Sequence, residues 1–230
     1  MLGTVVNALA IVGGTIIGLL LKSGIRENYR ETIINAIALS VLLIGIISAI
    51  KTNNLLLLIF SLAIGSVIGE ALKIEDRLAG LGQMIEKRTS STDGSVAKAF
   101  VTSSLVFCVG SMAIVGSIES GLTGNHQTLF AKAVLDGIIS IFLSSTMGFG
   151  VIFSAVAVFV YQGIITLASS SLKPFLTDEI IREISAVGGV LIMAIGLNML
   201  KIKKIKVGNM LPAIILPFFY FFVIKVFGKG

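Results

Sequence analysis

A chain of 230 residues that is 55% hydrophobic and 13% charged, with a mean hydropathy of +1.02, cannot cover its surface with polar side chains. Water-soluble domains carry about 25% charged residues, so this composition excludes an ordinary soluble domain, which would expose large apolar patches. The net charge of +6 does not point to nucleic acid, because the basic residues lie in loops between apolar runs, where lipid headgroups and insertion bias account for them.

Apolar stretches of about 20 residues, the length a helix needs to cross hydrocarbon, recur along the chain. Backbone in lipid must satisfy its own hydrogen bonds, so such stretches are helices or barrel strands. The alternating polarity of barrel strands is absent here. The expected fold is an all-α, polytopic transmembrane helical bundle forming one transmembrane domain over residues 1–230.

In chain order, eight spans are expected, at about 3–21, 33–50, 54–72, 99–118, 129–149, 151–170, 184–200 and 209–227. No basic region precedes the first apolar run, which argues against a cleaved signal peptide. Span one carries Gly14 and Gly18 as GxxxG, a spacing that lets helices approach closely; Gly65 and Gly69 repeat it in span three. Residues 74–88 place Ile74, Leu78, Leu81 and Ile85 on one helical face and read as an amphipathic helix on the cytoplasmic surface or as a plain connecting helix. Gly110 to Ser117 in span four pack small residues into an apolar run. Spans five and six are separated only by Met147-Gly148-Phe149-Gly150, which fits a tight hairpin or broken half-helices. Asn209 is expected to cap the last span, with Pro212 in its first turn.

With the N-terminus outside, the inner loops hold Lys22, Arg26, Arg30, Lys73, Arg77, Lys87, Arg88, Lys98, Lys201, Lys203, Lys204 and Lys206. The outer side holds Lys51, Lys132, Lys173, Arg182, Lys225 and Lys229. This two-to-one bias supports both termini outside and an even number of spans.

An internal repeat also emerges. Residues 15–47 align with 163–195 without gaps, with ten of 33 positions identical, among them Glu31 with Glu179 and Ala38 with Ala186. Spans one to three would then correspond to spans six to eight. That shift is odd, and it gives the inverted topology common in secondary transporters.

Ionisable groups in hydrocarbon are costly and invite a functional reading. Asp136 in span five is followed at i+4 and i+8 by Ser140 and Ser144, a stripe of oxygen ligands suited to a proton, Na⁺ or a hard divalent cation. Asn7, Gln162 and Asn198 are amides within apolar spans that can coordinate an ion or join helices. Glu70 and Glu119 close spans three and four. These eight residues are the candidate ion- or solute-binding set.

One cysteine, Cys108, and one histidine, His126, leave no intrachain disulfide and make a Cys/His zinc site improbable. His126 reads as a solvated loop residue. No HExxH, GxGD or paired catalytic aspartates occur, so no enzymatic activity and no cofactor are expected. The chain has no tryptophan, leaving Tyr29, Tyr161 and Tyr220 for the membrane interfaces.

Three segments carry a resemblance: MLGTVVNALAIVGGTIIG, FCVGSMAIVGSIESGLTGNHQTLFAKAVLDGI and SAVGGVLIMAIGLNMLKIKKIKVGNMLPA. They resemble a bacterial multi-spanning inner-membrane family of unknown function typified by YqgA and YdfK. The resemblance spans nearly the whole chain. It implies a bacterial plasma-membrane location and supplies neither substrate nor site residues.

From the residues, the leading expectation is a transporter or channel for a small ion or solute, proton- or cation-coupled through Asp136. The alternative is a non-transporting membrane scaffold or regulator. The expected partners are membrane lipid and a small ion or solute. The small-residue faces permit a homo-oligomer as readily as internal packing.

Overall fold

The computed structural model describes residues 1–22, 27–77, 80, 95–109, 111–173 and 176–227. The long helices are α1 (Leu2–Lys22), α2 (Glu27–Ala49), α3 (Leu55–Ala71), α4 (Ser95–Cys108), α5 (Ser111–Thr123), α6 (Gln127–Met147), α7 (Ser154–Leu167), α9 (Asp178–Met199) and α11 (Leu216–Phe227). Two short helices, α8 (Ser169–Leu172) and α10 (Val207–Met210), and two 3₁₀ turns, Phe149–Phe153 and Leu211–Ile215, connect them. Among the described residues, six helical stretches are long and apolar enough to cross a bilayer. Helices α4 and α5, bent by 60° against each other, make a seventh if taken as one span. The chain is thus an all-α polytopic bundle. The expected third span is the shorter apolar helix α3, of 17 residues.

Local chemistry sets the ends. Asn54 caps α3 by accepting from the Leu57 amide at 3.0 Å, and Thr177 caps α9, with Asp178 and Glu179 in its first turn facing the positive end of the helix dipole. Gly148, at φ 85°, stops α6, and the 3₁₀ turn then redirects the chain into α7. Spans five and six are therefore separate helices linked through the 3₁₀ turn, each packed against α1. Of the amphipathic segment expected at 74–88, residues 74–77 are helical, and most of the remainder lies outside the described residues. Asn209 is not the expected cap: it lies inside α10, and Lys206 holds the capping position.

Two helix pairs form the backbone of the bundle. Helix α1 runs parallel to α6, and α2 runs antiparallel to α9. At the first seam, a Cβ on Gly14 would collide with Gly137 and Ser140, and one on Gly18 with Ile141 and Ser144. At the second, Gly45 meets Gly189 and Met193, while Gly196 meets Ala38 and Leu42. Gly65 and Gly69 press α3 against Ala213 and Asn209. Without a hydrophobic force between helices in lipid, such close approach is what supplies dispersion contacts. Between the pairs, Ile11, Phe107, Leu143, Val151, Val158, Val187 and Leu191 are fully buried. Leu55, Leu56, Ile59, Phe60, Ile64 and Val67 of α3 lie exposed, as a lipid-facing side requires. Elsewhere α1 packs on α7, α2 on α9, and α3 on the 207–227 segment.

Glycine 13 gives the control for this packing. A Cβ there meets no atom within 4 Å. Gly13→Ala is expected to stabilise the protein by about 0.5–1 kcal/mol, by removing glycine's backbone freedom from a helix interior. Gly14→Ala and Gly18→Ala are expected to destabilise it by about 1–3 kcal/mol through overpacking. Thermal unfolding in detergent micelles checks all three.

Candidate functional site

Asp136 lies nine residues beyond the start of the 21-residue α6, about 14 Å along the axis at 1.5 Å per residue. Its carboxylate is 3% exposed. Both oxygens accept from the Lys132 ammonium, at 2.9 Å and 2.8 Å, and Oδ2 also accepts from Asn7 Nδ2 of α1 at 3.0 Å. Lysine at i−4 on the same helical face is one turn away, so the pair forms within α6. Sequence reasoning placed Lys132 among the outer loop charges. It is in fact buried inside the bundle, because a neutralised pair is far less costly in a low-dielectric interior than a lone carboxylate. The signal was present as Lys-x-x-x-Asp within one apolar span.

A second layer of polar groups adjoins the pair. Thr4 of α1 and Thr166 of α7 approach to 3.5 Å. One turn further in along these antiparallel helices come Asn7 and Gln162. Both are fully buried. Neither amide atom of Gln162 has a hydrogen-bond partner, and the Asn7 carbonyl oxygen also lacks one. Buried amides without partners are rare, because each forfeits a hydrogen bond it would have had in water. The arrangement combines one ion pair with three unused amide positions, two of them acceptors and one a donor.

The other candidates stand apart from this cluster. Ser140 donates to the Gly137 carbonyl at 2.7 Å and Ser144 to the Ser140 carbonyl at 2.6 Å. Both hydroxyls are thus satisfied by their own helix and lie where Gly14 and Gly18 of α1 come closest; the stripe below Asp136 is a packing seam. Glu119 binds Asn125 and Thr128, each at 2.7 Å, and so braces the turn before α6. Asn198 clasps Ile205 through the amide nitrogen and the carbonyl, at 2.7 Å and 2.8 Å, and fixes the loop after α9. Glu70 accepts from Lys206 at 2.9 Å and from Asn209 at 2.5 Å. The bond to Glu70 holds the Lys206 ammonium above the ordinary lysine range, so the contact is present at neutral pH and, on the lysine side, is lost as pH rises through the raised value. His126 is half-buried and bonds Ser120 through Nδ1 at 2.8 Å, so it is not the freely solvated loop residue expected.

Two features went unread in the sequence. Glu183, 1% exposed, accepts from Thr52 Oγ1 at 2.5 Å and from the Asn53 amide at 2.8 Å, tying the α2–α3 turn to α9. A cavity of about 390 Å³ opens between α4, α5, α7, α9 and the 211–215 turn, with Ser104, Cys108 and Tyr161 as its polar wall. It adjoins the α4–α5 bend. Asp136, Asn7 and Gln162 do not line it, although Cys108 on its wall lies within electrostatic range of Lys132 and Asp136. Among the described residues no cluster of His, Cys, Asp and Glu could hold a metal ion.

Removing one partner of the buried pair exposes its cost. Lys132→Met is expected to destabilise the protein by about 3–5 kcal/mol, and the double variant Lys132→Met/Asp136→Leu to recover most of that loss. Unfolding midpoints of the three proteins in one detergent check the expectation.

A family model described as protein of unknown function, DUF554, matches residues 2–222. The chain is similar to the uncharacterized membrane protein YdfK of Bacillus subtilis (strain 168), at 37% identity over 99% of each chain. It is also similar to the uncharacterized protein YqgA of Escherichia coli (strain K12), at 29% identity over 94% of each chain. No solved structure matches it. With its apolar helices and a family match over nearly its full length, the chain is a polytopic membrane protein and belongs to the DUF554 family.

Proposed function

We propose that this protein is a secondary transporter of a small ion or solute in the bacterial plasma membrane, coupled to protons or a small cation through Asp136. The observation that carries the reading is the buried Lys132–Asp136 pair held by Asn7, whose own carbonyl, like the buried amide of Gln162, has no hydrogen-bond partner. A buried ion pair is often no better for stability than apolar residues of equal size, so its presence at this depth calls for a use. Ionisable groups inside membranes commonly serve as relays.

In this reading a proton or small cation arriving at Asp136 neutralises the carboxylate and releases Lys132. The freed ammonium then needs a new partner in a dry interior. The unused amide atoms of Asn7 and Gln162 supply ligands for the transported species or for Lys132 itself. Either exchange changes what holds α1, α6 and α7 together, and so biases their packing.

The contacts between repeat-aligned segments support an inverted repeat, with spans one to three mirrored by six to eight. Counting α3 and the bent α4–α5 unit as spans gives eight, with both termini outside. Interrupted helices at the 149–153 and 211–215 turns and at the α4–α5 bend suit alternating access, since transporters commonly build their sites at such breaks. The buried pair is read as a binding and coupling group, with no enzymatic role.

A second reading, a non-transporting scaffold or regulator, is favoured by one observation: both carboxylate oxygens of Asp136 are already occupied, and the cavity walled by Ser104, Cys108 and Tyr161 touches none of Asp136, Asn7 and Gln162. Purified protein in proteoliposomes decides between them. Proton gradients reported by an enclosed pH dye, and Na⁺ or K⁺ jumps on a solid-supported membrane, are expected to give protein-dependent flux that Asp136→Asn reduces at least tenfold at equal amounts of folded protein in the vesicles, although leaving Lys132 unpaired lowers the unfolding midpoint as Lys132→Met does. No flux of any probe, together with one protein co-purifying in fixed ratio, would establish the scaffold.

A further inference from the structure

At the end of the bundle where α4 begins and α9 ends lies a cavity of about 410 Å³. Four lysines line it: Lys98 from the first turn of α4, and Lys201, Lys203 and Lys204 from the loop that follows α9. None of the four pairs with a carboxylate among the described residues. Their neighbour Lys206 is committed to Glu70 at 2.9 Å. One acid, Glu75, also lines the cavity, but its Oε2 is engaged by the Gly208 amide at 2.6 Å. The lining thus sets four ammonium groups against one carboxylate, a net positive charge around one hollow.

The lysine loop is held in place. Asn198 bonds Ile205 through both ends of its amide, and the Lys201 and Ile202 amides return to the Asn198 and Leu197 carbonyls at 3.1 Å each. Lys201 itself sits at φ 59°, in the left-handed position after a helix that glycine fills without strain. A lysine there is therefore not explained by the turn. Below the basic rim the wall is apolar, with Val101, Ile195 and Val207 contributing most directly.

We propose that this cavity is a binding site for the phosphate headgroup of an anionic phospholipid. The lysines would surround the phosphate, and the glycerol and first acyl carbons would lie against the apolar wall. Charge complementarity supplies the selectivity: basic pockets between transmembrane helices, at the end rich in Lys and Arg, bind such headgroups. The apolar wall favours a lipid over a free phosphate ion, which has no use for it. This site lies at the opposite end of the membrane-spanning helices from the Thr4–Thr166 contact and does not depend on the transport reading.

The test uses the full chain in detergent, titrated with phosphatidylglycerol, phosphatidylcholine or inorganic phosphate, with binding followed by native mass spectrometry and unfolding midpoint. Phosphatidylglycerol is expected to bind and to raise the midpoint; phosphatidylcholine is not. The variant Lys201→Gln/Lys203→Gln/Lys204→Gln is expected to bind phosphatidylglycerol about 100-fold more weakly, from about fivefold per lysine near an anionic group. Its midpoint without lipid should match the unmodified protein. Lys51→Gln/Lys173→Gln, at the other end of the bundle, should retain full binding. Equal binding of both lipids, retained binding in the triple variant, or equal loss in the Lys51/Lys173 control would each overturn the proposal. A midpoint shift from inorganic phosphate matching that from phosphatidylglycerol would overturn the lipid assignment in favour of a soluble anion.

Discussion

Hydrocarbon offers no hydrogen bonds, and this single constraint organises the molecule. It forces the backbone into helices and requires every polar side chain between them to find its partner within the protein. Serine meets the requirement most cheaply. Ser103, Ser117, Ser140, Ser144 and Ser154 each donate to a carbonyl three or four residues back in the chain, which leaves small, satisfied surfaces against which glycine can pack. Lys132 and Asp136 meet it by pairing within one turn of α6. The Gln162 amide and the Asn7 carbonyl do not meet it, nor do the hydroxyls of Thr15, Ser61, Ser104 and Ser185; Asn7 attracts a functional reading because it also bonds the Asp136 carboxylate.

Helix contact and polar placement are two sides of one arrangement. Because Gly14 and Gly18 bring α1 against α6, Asn7 two turns before Gly14 is delivered to Asp136 at hydrogen-bonding distance. The parallel direction of the two helices fixes this register. The antiparallel direction of α7 in turn places Gln162 one turn inward from Thr166, at the depth of Asn7. Packing glycines remote from the polar cluster thus decide which side chains meet there.

Much of this was legible in the amino-acid sequence, for physical reasons. Hydrophobic run length identified the helices, and the glycine-containing Met147–Gly150 segment marked the break between α6 and α7, where Gly148 takes a backbone angle that glycine tolerates at little cost. The GxxxG pair of α1 announced a close seam. Composition could not distinguish a serine that lines a pathway from one that bonds its own helix, so Ser140 and Ser144 looked like ligands. Counting Lys132 as a loop charge hid the partner of Asp136, since charge counting assigns side chains to water before asking where the helix begins. Asn209 resembled a cap, yet its amide and carbonyl hold Glu70 and the Glu75 backbone. Those contacts bridge more than 130 positions of chain, and local pattern carries no trace of them.

The Asn7–Asp136 bond joins residues 129 positions apart, and this has a consequence for biogenesis. At ribosomal speeds of 5–20 residues per second, α1 emerges on the order of ten seconds before α6 exists to receive it. During that interval Asn7 must be sheltered by the insertion machinery, by lipid headgroups or by the helices made before α6. The lysine and aspartate of α6 face no such wait: they leave the ribosome four residues apart and can enter the bilayer already neutralised by one another. The order of synthesis thereby makes the charged pair the self-sufficient element, and the neutral amide of the first helix the one that depends on a chaperone.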